Sequence, residues 1–194
     1  MKKFLIAVSA LAIGSSAFAQ NFIARVDVQG LNDLALKPVE NGNMTNATWG
    51  EQERRKFIVV GMHRNLPVDK WTKVTFSFIP ERDGRVRLNL LGHSFRQRDK
   101  KNPDQMWIYF NSVFLDGAEL VNGDLSESKD GIPVGWRCAK DQYITEGLDF
   151  PSASKAAVKV WHNQRCTQEI AVKGGQTITI TAYVRPAEYI PATE

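Results

Sequence analysis

Apolar and polar residues alternate with a period of two along much of this chain. Phe22, Ala24, Val26 and Val28 alternate with Ile23, Arg25, Asp27 and Gln29. Val74, Phe76 and Phe78 alternate with Lys73, Thr75 and Ser77, and Val86, Leu88 and Leu90 with Arg85, Arg87 and Asn89. Ile178, Ile180, Ala182 and Val184 alternate with Thr177, Thr179, Thr181 and Tyr183. Successive side chains of a strand point to opposite faces, so each stretch predicts a strand with one face on a core and the other in water. Residues 57–60 and 107–115 are apolar on both parities and predict central strands. No segment keeps an apolar helical period.

Turn chemistry separates these runs: residues 80–84, then Asp116-Gly117, Asn122-Gly123, Asp130-Gly131 and Gly174-Gly175. Glycine supplies positive φ, while Asn and Asp tolerate it and bond their own backbone. The short gap between Ile79 and Arg85 predicts a hairpin. Short strands at this spacing predict an all-β fold, an antiparallel β-sandwich of the jelly-roll kind. The longer polar stretches, 37–55, 93–105, 126–135 and 143–156, belong at its ends or sides, where binding groups are usually carried.

The first residues follow a different pattern. Lys2 and Lys3 precede an apolar run over 4–13, then Gly14-Ser15-Ser16 and Ala17-Phe18-Ala19. That order is a secretory signal peptide over 1–19, with cleavage expected before Gln20 and a single sandwich domain over 20–194. The apolar run is too short to span a bilayer, which takes about 20 residues, and no later run is long enough, so no membrane span is expected. The expected location is exported, periplasmic or extracellular.

Charge and cysteines narrow the function classes. Without Lys2 and Lys3 the chain carries 23 basic against 21 acidic residues. A near-neutral domain lacks the concentrated basic surface that nucleic acid requires, so no nucleic-acid partner is expected. The basic cluster Arg96, Arg98, Lys100 and Lys101 is interspersed with Asp99 and Asp104 and reads as a solvated loop. A lone pair of cysteines in an exported chain, Cys138 and Cys166, is most simply a disulfide. His63, His93 and His162 have no metal-ligand spacing.

Asn122-Gly123-Asp124-Leu125, followed by Gly131-Ile132-Pro133-Val134-Gly135-Trp136, resembles the opening of bacterial carbohydrate-binding modules of the galactose-binding-like jelly-roll type. Their first strand typically reads N-G-D-F-E, followed by P-x-G-W. Gln168 to Val172, Gly174-Gly175 and the strand up to Arg185 are similar to the family's next paired strands. Trp71 to Phe78 resembles its W-x-x-V-x-F-x-F strand, and Tyr109 to Leu115 its closing Y-(I/F)-D-D-V-x-L strand. The halves stand in reversed order, about 56–117 before about 121–186. This implies one circularly permuted jelly roll. Two incomplete modules, or two separate sandwiches, are the alternatives. Permutation is reasonable because domain termini often lie together at the surface.

The resemblance implies a non-catalytic, exported glycan-binding module whose partner is a polysaccharide or glycan. The alternative is a structural or protein-binding sandwich of the cell envelope, with an envelope protein as partner. Sugar binding needs an aromatic platform and polar neighbours. Trp49, Tyr143, Trp161 and His162 are the candidates, whereas Trp71, Trp107 and Trp136 fall on strand or motif positions and are expected in the core. Many relatives hold a structural calcium through the motif Glu and a closing-strand Asp. Here Ser126 and Asn111-Ser112 stand at those positions, so no cofactor is expected, and Asp124, Glu127 and Asn111 are the residues left to hold calcium. No catalysis is expected. A G-x-S-x-G elbow is absent, and nothing brings two of Glu81, Asp83, Asp141, Glu146 and Asp149 to glycosidase separation.

Overall fold

The computed structural model describes residues 21–39, 45–46, 56–94 and 101–193. Residues 1–19, Gln20 and Trp49 lie outside the described residues, as do Arg96, Arg98 and Lys100 of the basic cluster. The strands of the first half are β1 (Ala24–Gly30), β2 (Leu36–Val39), β3 (Thr45–Asn46), β4 (Ile58–His63), β5 (Thr72–Pro80), β6 (Gly84–Gly92) and β7 (Gln105–Asp116). Those of the second are β8 (Ser128–Lys129), β9 (Ile132–Pro133), β10 (Tyr143–Ile144), β11 (Ala157–Val160), β12 (Cys166–Val172) and β13 (Ile178–Ile190).

They form an antiparallel sandwich. The smaller sheet has the order β12-β6-β1-β4-β3, the larger the order β10-β11-β7-β13-β5-β2, and β8 and β9 form a separate ribbon. The alternating stretches supply the inner faces. Val26, Val28, Leu88 and Leu90 of the smaller sheet share one buried cluster with Phe76, Phe78, Ile108, Phe110, Ile178 and Ile180 of the larger. Burying each such side chain contributes roughly 1.5–3 kcal/mol. The sheets meet closely where the Phe76 ring lies over Gly61 of β4, since a Cβ on Gly61 would come within 2.9 Å of it. Strands of the two sequence halves interleave: β13 lies between β5 and β7, and β12 pairs with β6.

The hairpin expected across 80–84 does not form. β5 belongs to the larger sheet and β6 to the smaller, so the chain arches from one layer to the other. Hairpins and arches use the same turn residues, and alternation is identical in both. What separates them here is where the turn's polar groups go. The Glu81 N–H donates to Ala35 O at 3.0 Å, and Leu31 N–H to Arg85 O at 3.0 Å. Asp83 accepts the Gly174 N–H at 2.8 Å, and Gly175 N–H donates to Pro80 O at 2.8 Å. The arch is thus tied to two neighbouring loops.

Cys138 and Cys166 are bonded, with Cα atoms 4.6 Å apart and a sequence separation of 28. In the chain-entropy account a loop of this size stabilises the fold by ~3.5 kcal/mol. The bridge ties the segment after Trp136, 4% exposed, to the start of β12. Among the described residues, no helix is long and apolar enough to cross a membrane.

Candidate functional site

The larger sheet has an outer face whose composition β7 decides. Along β7 the residues Met106, Ile108 and Phe110 are buried in the core, so Trp107 and Tyr109 point outward. Ser112 then takes φ of 50°, and the pairing with β13 slips between Thr181 and Tyr183. This β-bulge reverses the parity. Beyond it Val113 is buried and Phe114 is outside, 50% exposed. The bulge explains why 107–115 looks apolar on both faces. Trp107 is therefore not a core residue, and neither is Trp71, which is half-buried and precedes β5.

Register assembles the outer face. Tyr109 pairs with Lys159 of β11 on one side and with Arg185 of β13 on the other. Val184 pairs with Thr72, which brings Trp71 next to Arg185. The Trp71 and Tyr109 ring centroids are 6.4 Å apart. Strands two apart are separated by about 10 Å, so these rings lean toward each other across β13. One step along, Trp107 and Trp161 have centroids 5.9 Å apart, and Lys159 Nζ lies 5.0 Å from the Trp107 ring centre. Lys159 Nζ also pairs with Glu188 at 2.8 Å. Trp107 Nε1 donates to Gln105 at 3.1 Å. The result is a row of aromatic rings, Trp71, Tyr109, Trp107 and Trp161, set among charged side chains. The loop between β10 and β11 reaches one end of it, where Asp149 O accepts the Trp71 indole N–H.

The candidates from sequence do not converge. Trp161 joins the aromatic row and is 8% exposed, with its Nε1 buried and unbonded. His162 points elsewhere, toward Arg25 and His93. Its pKa is lowered by burial first and by Arg25 second. Burial likewise lowers His93 to about 4, helped by Arg25, His162 and Arg64. Tyr143 packs against the core, and its hydroxyl donates to Leu125 O at 2.9 Å.

The motif residues hold turns. Asn122 Nδ2 donates to Glu127 O at 2.8 Å and to Val134 O at 3.1 Å, while Oδ1 accepts from Glu127 N at 3.0 Å. A Cβ on Gly123 would come within 2.2 Å of Val113 O, so no side chain fits there. Asn111 is fully buried. Its amide donates to Ala156 O at 2.6 Å, and its Oδ1 accepts from Ser152 at 2.9 Å. Asp124 and Glu127 are exposed. Among the described residues no group of three or more His, Cys, Asp or Glu is placed to hold a metal.

A second feature lies at the edge of the smaller sheet. Thr167 of β12 exchanges both backbone hydrogen bonds with Arg137, at 2.8 and 3.0 Å, and so faces away from β6. Glu169 and Ala171 face the same way, and among the described residues no backbone group pairs with them. This open edge lines a groove of about 850 Å³, with Gly117, Ala118, Glu119 and Val121 also in its walls.

No protein-family model, no curated protein and no solved structure matches the chain. The class of protein is therefore set by its own architecture, an antiparallel β-sandwich with one disulfide.

Proposed function

We propose that this chain is a non-catalytic, exported glycan-binding module that holds saccharide against the outer face of its larger sheet. The observation that carries the proposal is the row of half-buried rings Trp71, Tyr109 and Trp107, with Trp161 behind, on a face that a sandwich core does not require. Partly exposed rings present flat apolar surface to the C–H face of a sugar ring. Gln105, Lys159, Glu188 and Arg185 stand beside them to bond hydroxyls. Strands give such a platform rigidity that loops lack. The secretory pattern of residues 1–19 and the disulfide support export.

Affinity electrophoresis against a panel of plant, algal and bacterial polysaccharides tests the proposal. At least one polymer is expected to retard the protein, and Trp107→Ala and Tyr109→Ala each to weaken that retardation by about tenfold or more, as loss of a principal contact does. Retardation unchanged in both variants would place binding elsewhere.

A second reading, an envelope protein that binds another polypeptide, draws on the open edge of β12. An extended segment laid along Glu169 and Ala171 would add a strand to the smaller sheet. Pull-down of a peptide partner that Ala171→Pro abolishes, with no retardation by any polysaccharide, would favour it.

A further inference from the structure

Among the described residues, the aromatic row contains a charge that has no compensating partner. Lys159 is neutralised by Glu188 at 2.8 Å. Asp149 meets the face through its backbone carbonyl, at the Trp71 indole. Arg185 is half-buried on the strand between Tyr109 and Trp71. Among the described residues its guanidinium has neither an ion pair nor a side-chain hydrogen bond. A half-buried cation flanked by rings has lost part of its hydration without gaining a partner, which costs free energy until an anion arrives.

We infer that the face selects acidic saccharides, with Arg185 clamping the carboxylate of a uronic-acid residue whose ring lies against Trp71, Tyr109 and Trp107. This deepens the glycan-binding proposal and rests on it. The guanidinium presents two parallel N–H donors in a fixed plane, and a carboxylate accepts both at once. Sugar hydroxyls accept single bonds and leave the charge uncompensated. A uronic acid carries its carboxylate on the ring carbon next to the ring oxygen. Stacking of the ring's C–H face and pairing of its acid can therefore be met by one residue of the ligand. The Trp71–Tyr109 ring separation of 6.4 Å sets the two rings on either side of the strand that carries Arg185.

The test compares polymers that differ only in charge: polygalacturonate, alginate and hyaluronan, each beside its carboxyl-reduced form, titrated into the mature chain. At least one acidic polymer is expected to bind about tenfold or more tightly than its reduced form, the difference a charged bidentate pair makes. Arg185→Gln should abolish that preference, so that within this variant the acidic and reduced forms bind equally. Arg185→Lys should keep part of it. Circular dichroism melts coincident with those of the wild type show that the variants fold. Equal binding of acidic and reduced polymers, or a preference that survives Arg185→Gln, would overturn the inference while leaving a glycan-binding face in place. Binding of neither form of any polymer, nor of the wider polysaccharide panel, would overturn both.

Discussion

At the scale of single residues, buried polar side chains tie loops to the sheets. Gln168 is buried on β12 and mimics a strand partner. Its Oε1 accepts the Val121 N–H at 2.8 Å and its Nε2 donates to Val121 O at 2.9 Å. Gln168→Ala leaves both backbone groups of Val121 without that partner, and should cost roughly 1–3 kcal/mol in urea unfolding; a change within error would deny the pairing. His93 gives a pH dependence. Its pKa of about 4 lies below the ordinary 6.5, because burial and the charges of Arg25, Arg64 and His162 disfavour its protonated form. On acidification the unfolded chain takes up the proton first. Stability is therefore full above about pH 6.5 and is lost as the pH falls toward about 4. Urea midpoints across that window should fall in the wild type and fall less steeply in His93→Gln. His162, shifted the same way, leaves part of the slope in that variant. Identical slopes would show that His93 is not the group responsible.

At the scale of elements, β1, β5, β6 and β13 were legible because each keeps one apolar face along its length, and β12 was legible through the motif resemblance of Gln168 to Val172. Two features were not. The arch after Pro80 carries the same residues as a hairpin, and only its bonds to 31–35 and 174–175 separate the two. The bulge at Ser112 shifts the parity of β7 partway along, so Trp107 and Phe114 both lie outside although their positions differ in parity. A signal for the outer face was nonetheless present. Trp107 and Tyr109 share one parity against Ile108 and Phe110, and Tyr183 and Arg185 share the polar parity of β13. Arg185 was missed because a lone arginine on a polar face looks solvated until its neighbours across the strands are known. The pairing of β5 with β13 sets Ile180 opposite Phe76 within the common buried cluster. Phe76→Ala should cost about 3–5 kcal/mol and Ile180→Ala about 2–5 kcal/mol. Both should lower one cooperative transition. Two transitions, each moved by only one substitution, would divide the chain into separate folding units and remove the permuted-module account.

At the scale of the whole molecule, the sandwich separates three surfaces. The outer face of the larger sheet carries the aromatic row and Arg185, the free edge of β12 lines the groove, and His93 and His162 stand near Arg25 of β1. Of the aromatic candidates read from the sequence, Trp161 stands in the row on this face, and Trp49 lies outside the described residues. Tyr143 braces Leu125, and His162 turns away from the row that its neighbour Trp161 joins. Which rings share a face depends on register, and register is a property of pairs of strands that no single stretch of sequence contains. The central claim is that the ligand lies on the outer face of the larger sheet. Amide chemical-shift mapping by NMR, with an oligosaccharide cut from the best-binding polymer, tests this most directly. Perturbations are predicted to cluster on the amides of 107–109, 159–161, 183–185 and 187–188 and on the indole N–H groups of Trp71 and Trp107. Perturbations confined to 117–121 and 167–173, along the open edge of β12, would contradict it.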